Sequence, residues 1–382
     1  MKNIINTLPT NLLCFSHLRW DFVYQRPQHL LSRFAAYFKV YFLEEPLFED
    51  CSEASLSFSP REGNIFVGVP HLPHGLSEQE VTSTVGSLLN QFLQDKDLED
   101  FAFWYYSPMA MSFSEKHTPK VTIYDCMDEL SAFKNAPKAL KDMEKKLMKY
   151  ADVVFTGGHS LYEAKKNQHA NIYPFPSSIE KEHFAKARKA KAEPQDQAGI
   201  KGPKLGFYGV IDERFDIELI RGIADARPDW QIMLIGPVVK IDPATLPKNA
   251  NIHYLGQKTY KELPAYLSGW DVALIPFALN ESTRFISPTK TPEYLAAGIP
   301  VVSTPIKDVV NPYGTKNLVH IGVTAQEFVL AIDQELAVAD RKQWLKKVDT
   351  FLALNSWDMT HQQMQKHILN VARSKNNISV AS

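Results

Sequence analysis

Two doubly wound α/β halves, each an open parallel sheet with helices on its faces, are predicted for this chain. Three observations predict them. Short apolar runs alternate with helical stretches along the whole sequence, which is the signature of βαβ units. Runs such as FAFWYY (101–106) and DVVFT (152–156) are apolar at consecutive positions, as strands covered on both faces are. The alternation breaks once, at KARKAKAEPQDQAGIKGP (186–203), and then restarts. A length of 382 residues suits two domains rather than one.

In the first half, NLLCF (11–15) reads as a strand. The helix over 27–38 carries Pro27 in its first turn, where a missing N–H costs nothing. KVYFL (39–43) and 64–69 are strands, 78–93 a helix, and 101–106 and 121–125 strands. A helix over 137–150, a strand over 152–156 and a helix opening near Ser160 follow. The 186–203 stretch is polar and rich in Ala and Lys, with Ile200 its one large apolar residue. It reads as an inter-domain linker or a surface excursion beside it. In the second half KLGFY (204–208), 231–235, 251–255, 271–276 and 299–303 read as strands, with a further one over 317–321. Helices fall at 216–226, 260–267, 289–297, 324–337 and 341–354. A last amphipathic helix over 356–372 lines up Trp357, Met364, Ile368 and Val371, with His361 between them. The predicted domains are thus 1–185, a linker at 186–203, 204–354, and a closing helix and tail at 355–382.

Composition excludes several classes. With 45% hydrophobic and 22% charged residues the chain is neither disordered nor a disulfide scaffold. A net charge of −1 gives no general attraction to nucleic acid. Cys14, Cys51 and Cys126 are an odd, widely spaced set and read as buried free thiols of a reducing compartment. The opening MKNIINTLPTNLLCFS has a broken apolar run and no secretory cleavage pattern, and no run is long enough to span a bilayer, so a cytoplasmic protein is expected. No G-x-G-x-x-G or P-loop is present, which weighs against a dehydrogenase or NTPase. Asp95-Lys-Asp97 follows a helix and precedes a strand, the wrong sheet end for a metal site, and His71 and His74 have no third ligand nearby. No metal is expected.

Open α/β sheets bind ligands beyond the carboxyl ends of their strands, so candidates lie just after strands. The richest such stretch is SPTKTPEYLAAGIPVV (287–302). A helix opens there near Thr289, and helix N-termini offer free N–H groups and a positive dipole end to phosphate. Lys290 adds a full charge, which suits a diphosphate. Glu293, three residues on, shares its helical face and suits a sugar or ribose hydroxyl.

This run resembles the donor-site motif of GT-B-fold glycosyltransferases of the group-1 type, which act on nucleotide sugars. Carried over by position, the resemblance implies that Lys290 binds phosphate and Glu293 ribose, with Ser287 and the amides of Thr289 and Lys290 lining the phosphate site. GFYGVIDERFD (206–216) is similar to the family's first donor-domain strand and loop. Gly209 would permit close backbone approach there and Arg214 would reach the diphosphate. WQIMLIG (230–236) and NIHYLG (251–256), ending at Gly236 and Gly256, match the next two strands, so that Gly256, Gln257 and Lys258 would face the nucleobase. SHLRWDFVYQRPQHL (16–30) resembles the entry loop of a subset of bacterial members, and the helix around Trp357 resembles the one that crosses back to the first domain. Two departures stand out. Retaining members carry E-x7-E, but position 285 is Phe, and Glu281 is four residues out of register. The usual Gly-Gly pair of the first loop is replaced by a segment bearing Trp20, Tyr24 and Arg26.

The resemblance implies a two-domain GT-B enzyme. It would move a sugar from a nucleoside-diphosphate sugar, UDP favoured, to a glycan or lipid-linked acceptor, without metal, in exopolysaccharide or cell-envelope glycan synthesis. An inverting reaction needs one general base, and Asp128, in YDCMDE after the 121–125 strand, is the first choice, Asp125 the second. The other reading of Asp125 is that it orders its loop by accepting backbone N–H bonds. His17, Arg19 and Arg26, after the first strand, are candidate contacts to acceptor or leaving phosphate, while His29 reads as structural. The 137–150 helix bears Lys138, Lys141, Lys145, Lys146 and Lys149; it reads as a solvated face, with contact to the inner membrane surface as its other use. Two rival readings remain open at this point: a non-catalytic nucleotide-sugar or glycan-binding protein of the same fold, and an isomerase that needs no acceptor.

Overall fold

The computed structural model describes residues 8–190 and 192–381. The first seven residues, part of the segment weighed for a secretory signal, lie outside the described residues. Two parallel sheets form, one in each half of the chain. The first runs Leu47–Glu49, Ile65–Pro73, Lys39–Leu43, Asn11–Phe15, Phe101–Tyr105, Val121–Cys126, Val153–Thr156, Ile172–Pro174 across its width. The central strands are buried along almost every residue, which explains their unbroken apolar runs. The second sheet runs Ile252–Gly256, Gln231–Ile235, Lys204–Tyr208, Val272–Ile275, Val301–Ser303, His320–Ile321. In each sheet the strand order reverses once. The reversal lies between Asn11–Phe15 and Phe101–Tyr105 in the first, and between Lys204–Tyr208 and Val272–Ile275 in the second.

The differences from expectation have physical causes. Ser55–Arg61 pairs antiparallel with Ile65–Pro73 at the sheet edge, and Leu47–Glu49 pairs with the same strand. Their Ser, Pro and Arg residues carry no core signal, and Pro60 is tolerated because the edge leaves its position unpaired on one side. The strand near 317–321 shrinks to His320–Ile321. The 186–203 stretch is no loose tether. Ala185–Lys189 and Gln195–Ala198 form short helical turns against the second domain. Gln197 is fully buried, donating to the Tyr266 carbonyl and accepting from Trp270 Nε1 at 2.9 Å. Polar anchors hold this segment, which is why its lack of large apolar residues misled. Cys14 and Cys126 are buried free thiols, whereas Cys51 is only partly covered.

The closing helix, Trp357–Ala381, leaves the second domain and completes the core of the first. Trp357, Met364, Ile368 and Ala372 are buried among Leu30, Phe34, Trp104 and Phe155. Trp357 stacks on His29, ring centroids 4.7 Å apart, and His29 also meets Glu180 at 3.5 Å, so His29 is a structural residue.

Candidate active site between the two domains

The donor-side residues gather at the strand reversal of the second sheet. Gly209 follows Lys204–Tyr208 with φ of 140°, a conformation that favours glycine. The reason is spatial as well. A Cβ on Gly209 would sit 2.3 Å from Lys290 Cε, so the lysine stem lies flat across the Gly209 backbone. Gly236 serves the same loop: a Cβ there would meet the Gly209 carbonyl oxygen at 1.9 Å. The helix Lys290–Ala297 opens at Thr289 and ends at Gly298, whose left-handed φ of 81° terminates it. Arg188 Nε donates to the Ala296 carbonyl at 2.7 Å, satisfying the far end. At the near end the amides of Thr289 and Lys290 have no intramolecular acceptor among the described residues.

Charge at this helix is arranged rather than neutralised. Lys290 makes no ion pair or hydrogen bond among the described residues, and burial lowers its pKa to about 8, with Glu293 pulling the other way and Arg214 adding to the fall. Glu293 is buried and accepts a hydrogen bond from the Tyr208 hydroxyl. Burial raises its pKa to about 7, against the pull of Tyr208 and Lys290. Arg214 donates from Nε and Nη2 to Asp212, at 2.7 Å for the shorter ion-pair contact. Asp212, rather than Glu213 or Asp216, is thus its partner, and Asp216 instead caps the following helix through Leu219 N. Arg214 Nη1 stays free among the described residues, and the guanidinium lies 5.3 Å from the ring of Phe133 in the first domain. Lys240 approaches the same ring from the second domain at 5.6 Å.

Other donor candidates are placed differently. Gly256 adopts φ of 68°. Gln257 donates across the cleft to the Phe22 carbonyl at 2.8 Å. Lys258 is held by Asp196 at 2.7 Å over the Tyr266 ring, so its charge is already spent. The Ser287 carbonyl accepts from Ser177 Oγ of the first domain at 2.7 Å.

In the first domain Asp125 and Arg26 turn on each other. Arg26 clasps Asp125 from Nε and Nη2, at 2.8 Å for the closest pair, and sends Nη1 to the Phe175 carbonyl at 2.7 Å. Both side chains are buried and their charges are spent on each other, and Asp125 accepts guanidinium rather than backbone N–H bonds. The pair forms because the strand end is walled by apolar rings that leave a carboxylate no water. The Asp128 carboxylate, three residues later, makes no hydrogen bond among the described residues and caps no helix, while the Asp128 carbonyl accepts from Cys126 Sγ. Burial raises its pKa to about 6, with Arg214 of the other domain, then Arg26, opposing. Asp128 is therefore close enough to Arg214 to feel its charge. His17 is pushed down to about 4 by burial and by Lys240, so it is a neutral imidazole, and its Nδ1 has no partner. Arg19 pairs with Glu44 at 2.9 Å and donates to the Glu45 carbonyl, which fixes the 44–46 loop rather than a ligand. Where the retaining pattern has its first Glu, Phe285 packs against the core of the first domain. Glu281 is mostly exposed and pairs with Arg284 at 3.5 Å. The lysines of the Leu140–Tyr150 helix and Lys138 before it are exposed, two of them paired with Asp142 and Glu115. Among the described residues no cluster of three metal-ligating side chains occurs.

Four residues at the domain boundary were not anticipated: Asp212, Lys240, Phe133 and Asp308. Asp212 sits two positions before Arg214, a spacing that does suggest a local pair. Asp308 has no such signal. Its carboxylate accepts the amides of His159 (2.8 Å) and Ser160 (2.9 Å) at a helix start in the other domain. Gly158 makes room, since a Cβ there would lie 2.3 Å from Asp308 Oδ2.

Known proteins resemble this chain in its second half and in its fold. Residues 203–337 match the family model described as glycosyl transferases group 1. A Bacillus subtilis (strain 168) protein, TuaH, named for teichuronic acid biosynthesis and as a glycosyltransferase, is 28% identical over 224 residues, 54% of this chain. That match spans 56% of TuaH, little more than half its length. Among solved structures, the E. coli trehalose-6-phosphate protein bound with UDP-2-fluoro glucose superposes with a TM-score of 0.70 at 12% identity, covering 94% of this chain and 99% of that one. Sucrose-phosphate synthase of Thermosynechococcus elongatus gives 0.69 at 15% identity, covering 98% and 100%. The chain's two sheets and crossing helix therefore take the GT-B fold, and residues 203–337 are similar to the glycosyl transferases group 1 family.

Proposed function

We propose that the protein is a metal-independent glycosyltransferase that moves a sugar from a nucleoside-diphosphate sugar to a glycan or lipid-linked acceptor. One observation carries the reading: an unpaired Lys290 ammonium and two free amides lie at one helix start, with the buried Glu293 one turn on. A diphosphate with a ribose beside it satisfies all of these groups. UDP is favoured as the nucleotide because the E. coli structure of the same fold carries UDP-2-fluoro glucose. A role in cell-envelope or exopolysaccharide synthesis, on the inner membrane face or in the cytoplasm, follows only the name of TuaH.

In this reading Asp128 accepts the proton of the acceptor hydroxyl. The oxygen bonds to the anomeric carbon, and the bond to the diphosphate breaks with its electron pair leaving on the phosphate. Lys290, Arg214 Nη1 and the helix amides hold that charge, so the work is electrostatic stabilisation in a site both domains cover. Asp128 suits the role because a base near pH 6 is ionised at neutral pH yet basic enough to matter. With Asp128 as the base and Phe285 in place of the first Glu, inversion at the anomeric carbon is the proposed course.

The test is product analysis. Incubation with UDP-, GDP- and ADP-sugars and a mixture of membrane-derived acceptors should release one nucleoside diphosphate and yield a glycoside of inverted configuration by NMR. Nucleotide binding without release would favour the non-catalytic reading. Release of a rearranged nucleotide sugar with no acceptor present would favour the isomerase.

A further inference from the structure

We infer that the first domain holds an aliphatic chain of the acceptor in a cavity at its own strand reversal; this rests on the transferase reading above. The cavity encloses about 320 Å³ and lies past the carboxyl ends of Lys39–Leu43, Asn11–Phe15 and Phe101–Tyr105. That is the crevice where open α/β sheets bind ligands, and in the second domain the corresponding crevice is the donor site. The volume falls in the range of small-molecule sites. Phe15 and Leu43 form its floor, and Val85, Met109 and Phe113 its walls.

Most polar groups around the cavity are already engaged, the Ser107 hydroxyl and the Glu45 carboxylate being the exceptions among the lining residues. Ser16 Oγ bonds within its own turn at Leu18, Thr82 Oγ1 donates to the Glu78 carbonyl, and Ser112 Oγ to the Met109 carbonyl. Glu44 is taken by Arg19 and by the Trp20 amide. A sugar carries a hydroxyl on nearly every carbon and would leave most of them unpaired here. The occupant is therefore hydrocarbon. It is a chain rather than a compact ring system because the apolar lining continues outward. Phe48 borders the cavity, and both Leu47 and Phe48 stand about half exposed on the edge strand.

The cavity lies on the side of the first domain that faces the second, for Glu45, one of its lining residues, is near enough to Lys240 to feel its charge. Asp128 follows a strand two places along from the Asn11–Phe15 strand, about 10 Å across the sheet. A sugar head joined to a chain in the cavity thus reaches Asp128.

The experiment uses a series of alkyl glycosides sharing one sugar head, methyl to decyl, with a 4-nitrophenyl glycoside as the aromatic arm. KM should fall about fourfold for each methylene buried and then level off when the cavity is full. Displacement of cis-parinaric acid, a fluorescent aliphatic probe, is followed in parallel and does not depend on transfer. Thr82→Trp, on a partly buried helical position lining the cavity, should abolish probe binding and flatten the chain-length series while UDP binding and the unfolding temperature hold. Val85→Phe, deeper in the wall, should do the same. Transfer with no dependence on chain length, or a preference for the aryl glycoside over every alkyl one, would overturn the inference. Probe binding without any glycosyl transfer would instead leave the cavity assignment standing and remove the transferase reading.

Discussion

Replacing Lys290 by Met removes one charge and keeps the stem. The stem matters, because it packs across Gly209. The ammonium makes no hydrogen bond or ion pair among the described residues, so the fold should survive its loss, with the buried Glu293 carboxyl, which Lys290 helps to hold down, pushed further up. What is lost is the charge-assisted contact to the diphosphate, which is worth about 1.5–3 kcal/mol. That corresponds to a dissociation constant for UDP weakened by about 10- to 150-fold. The pH dependence makes the reasoning sharper. With its pKa lowered to about 8, Lys290 is mostly protonated at pH 7 and loses its proton as pH rises through that value. The anion binds the protonated form. Wild-type affinity should therefore decline above pH 8, by up to about tenfold per unit, while the Met variant stays level. The gap between the two should close as pH rises. Glu293, raised to about 7, acts in the other direction, since it must ionise to accept ribose hydroxyls. Affinity should fall below about pH 7 in the wild type and from a higher pH in the Met variant, where Lys290 no longer holds Glu293 down. Titration calorimetry with UDP from pH 6 to 10 measures all of this. A variant within threefold of wild type at pH 7, or a gap that does not change with pH, would refute the assignment of Lys290 to phosphate.

Asp128→Asn should cut sugar transfer by about 10²- to 10⁴-fold while UDP binds within about threefold of wild type, and the acid limb near pH 6 should vanish from the residual rate. Gly209→Ala, at φ of 140° and against Lys290 Cε, should weaken UDP binding by displacing the lysine, which calorimetry would show with little change in the first domain's spectroscopic signals. Arg26→Met strands a buried Asp125 carboxylate and should cost about 3–5 kcal/mol of stability in urea unfolding, and adding Asp125→Leu should recover much of it. If the double variant regained stability but lost all activity beyond its losses in folding, the structural reading of that pair would be wrong. Asp308→Ala uncaps a helix across the domain boundary, so the unfolding temperature should drop by about 2–4 °C and small-angle scattering should record a more open molecule.

The sheet strands were legible because burial on both faces writes itself as consecutive apolar residues, as in FAFWY and VALI. The donor helix was legible for a different reason: Thr289 to Gly298 carries its own start, charge and stop within ten positions. Edge strands such as Ser55–Arg61 were not, since half their surface faces water and their pattern is that of a loop. The same limit applies to the site. Asp128 could be placed after a strand, but whether Asp125 or Asp128 faced the cleft depended on Arg26, 99 positions away. Asp308 against His159, Phe133 beneath Arg214 and Lys240 beside His17 are contacts between domains, and no local spacing encodes them.

The crossing helix has a consequence for how this chain is made. Trp357, Met364, Ile368 and Ala372 fill the first domain's core, yet they are synthesised after the whole second domain. As the polypeptide leaves the ribosome, the first sheet can assemble but must wait with an open apolar face beside Leu30, Phe34 and Trp104. The second domain, whose core draws only on the segment from Ile179 to Leu352, can be complete before that gap is filled. The order of maturation is thus inverted with respect to the order of translation. The domain that begins the chain is the last to close, and a fragment ending near residue 185 would present that waiting face to any chaperone or to another copy of itself.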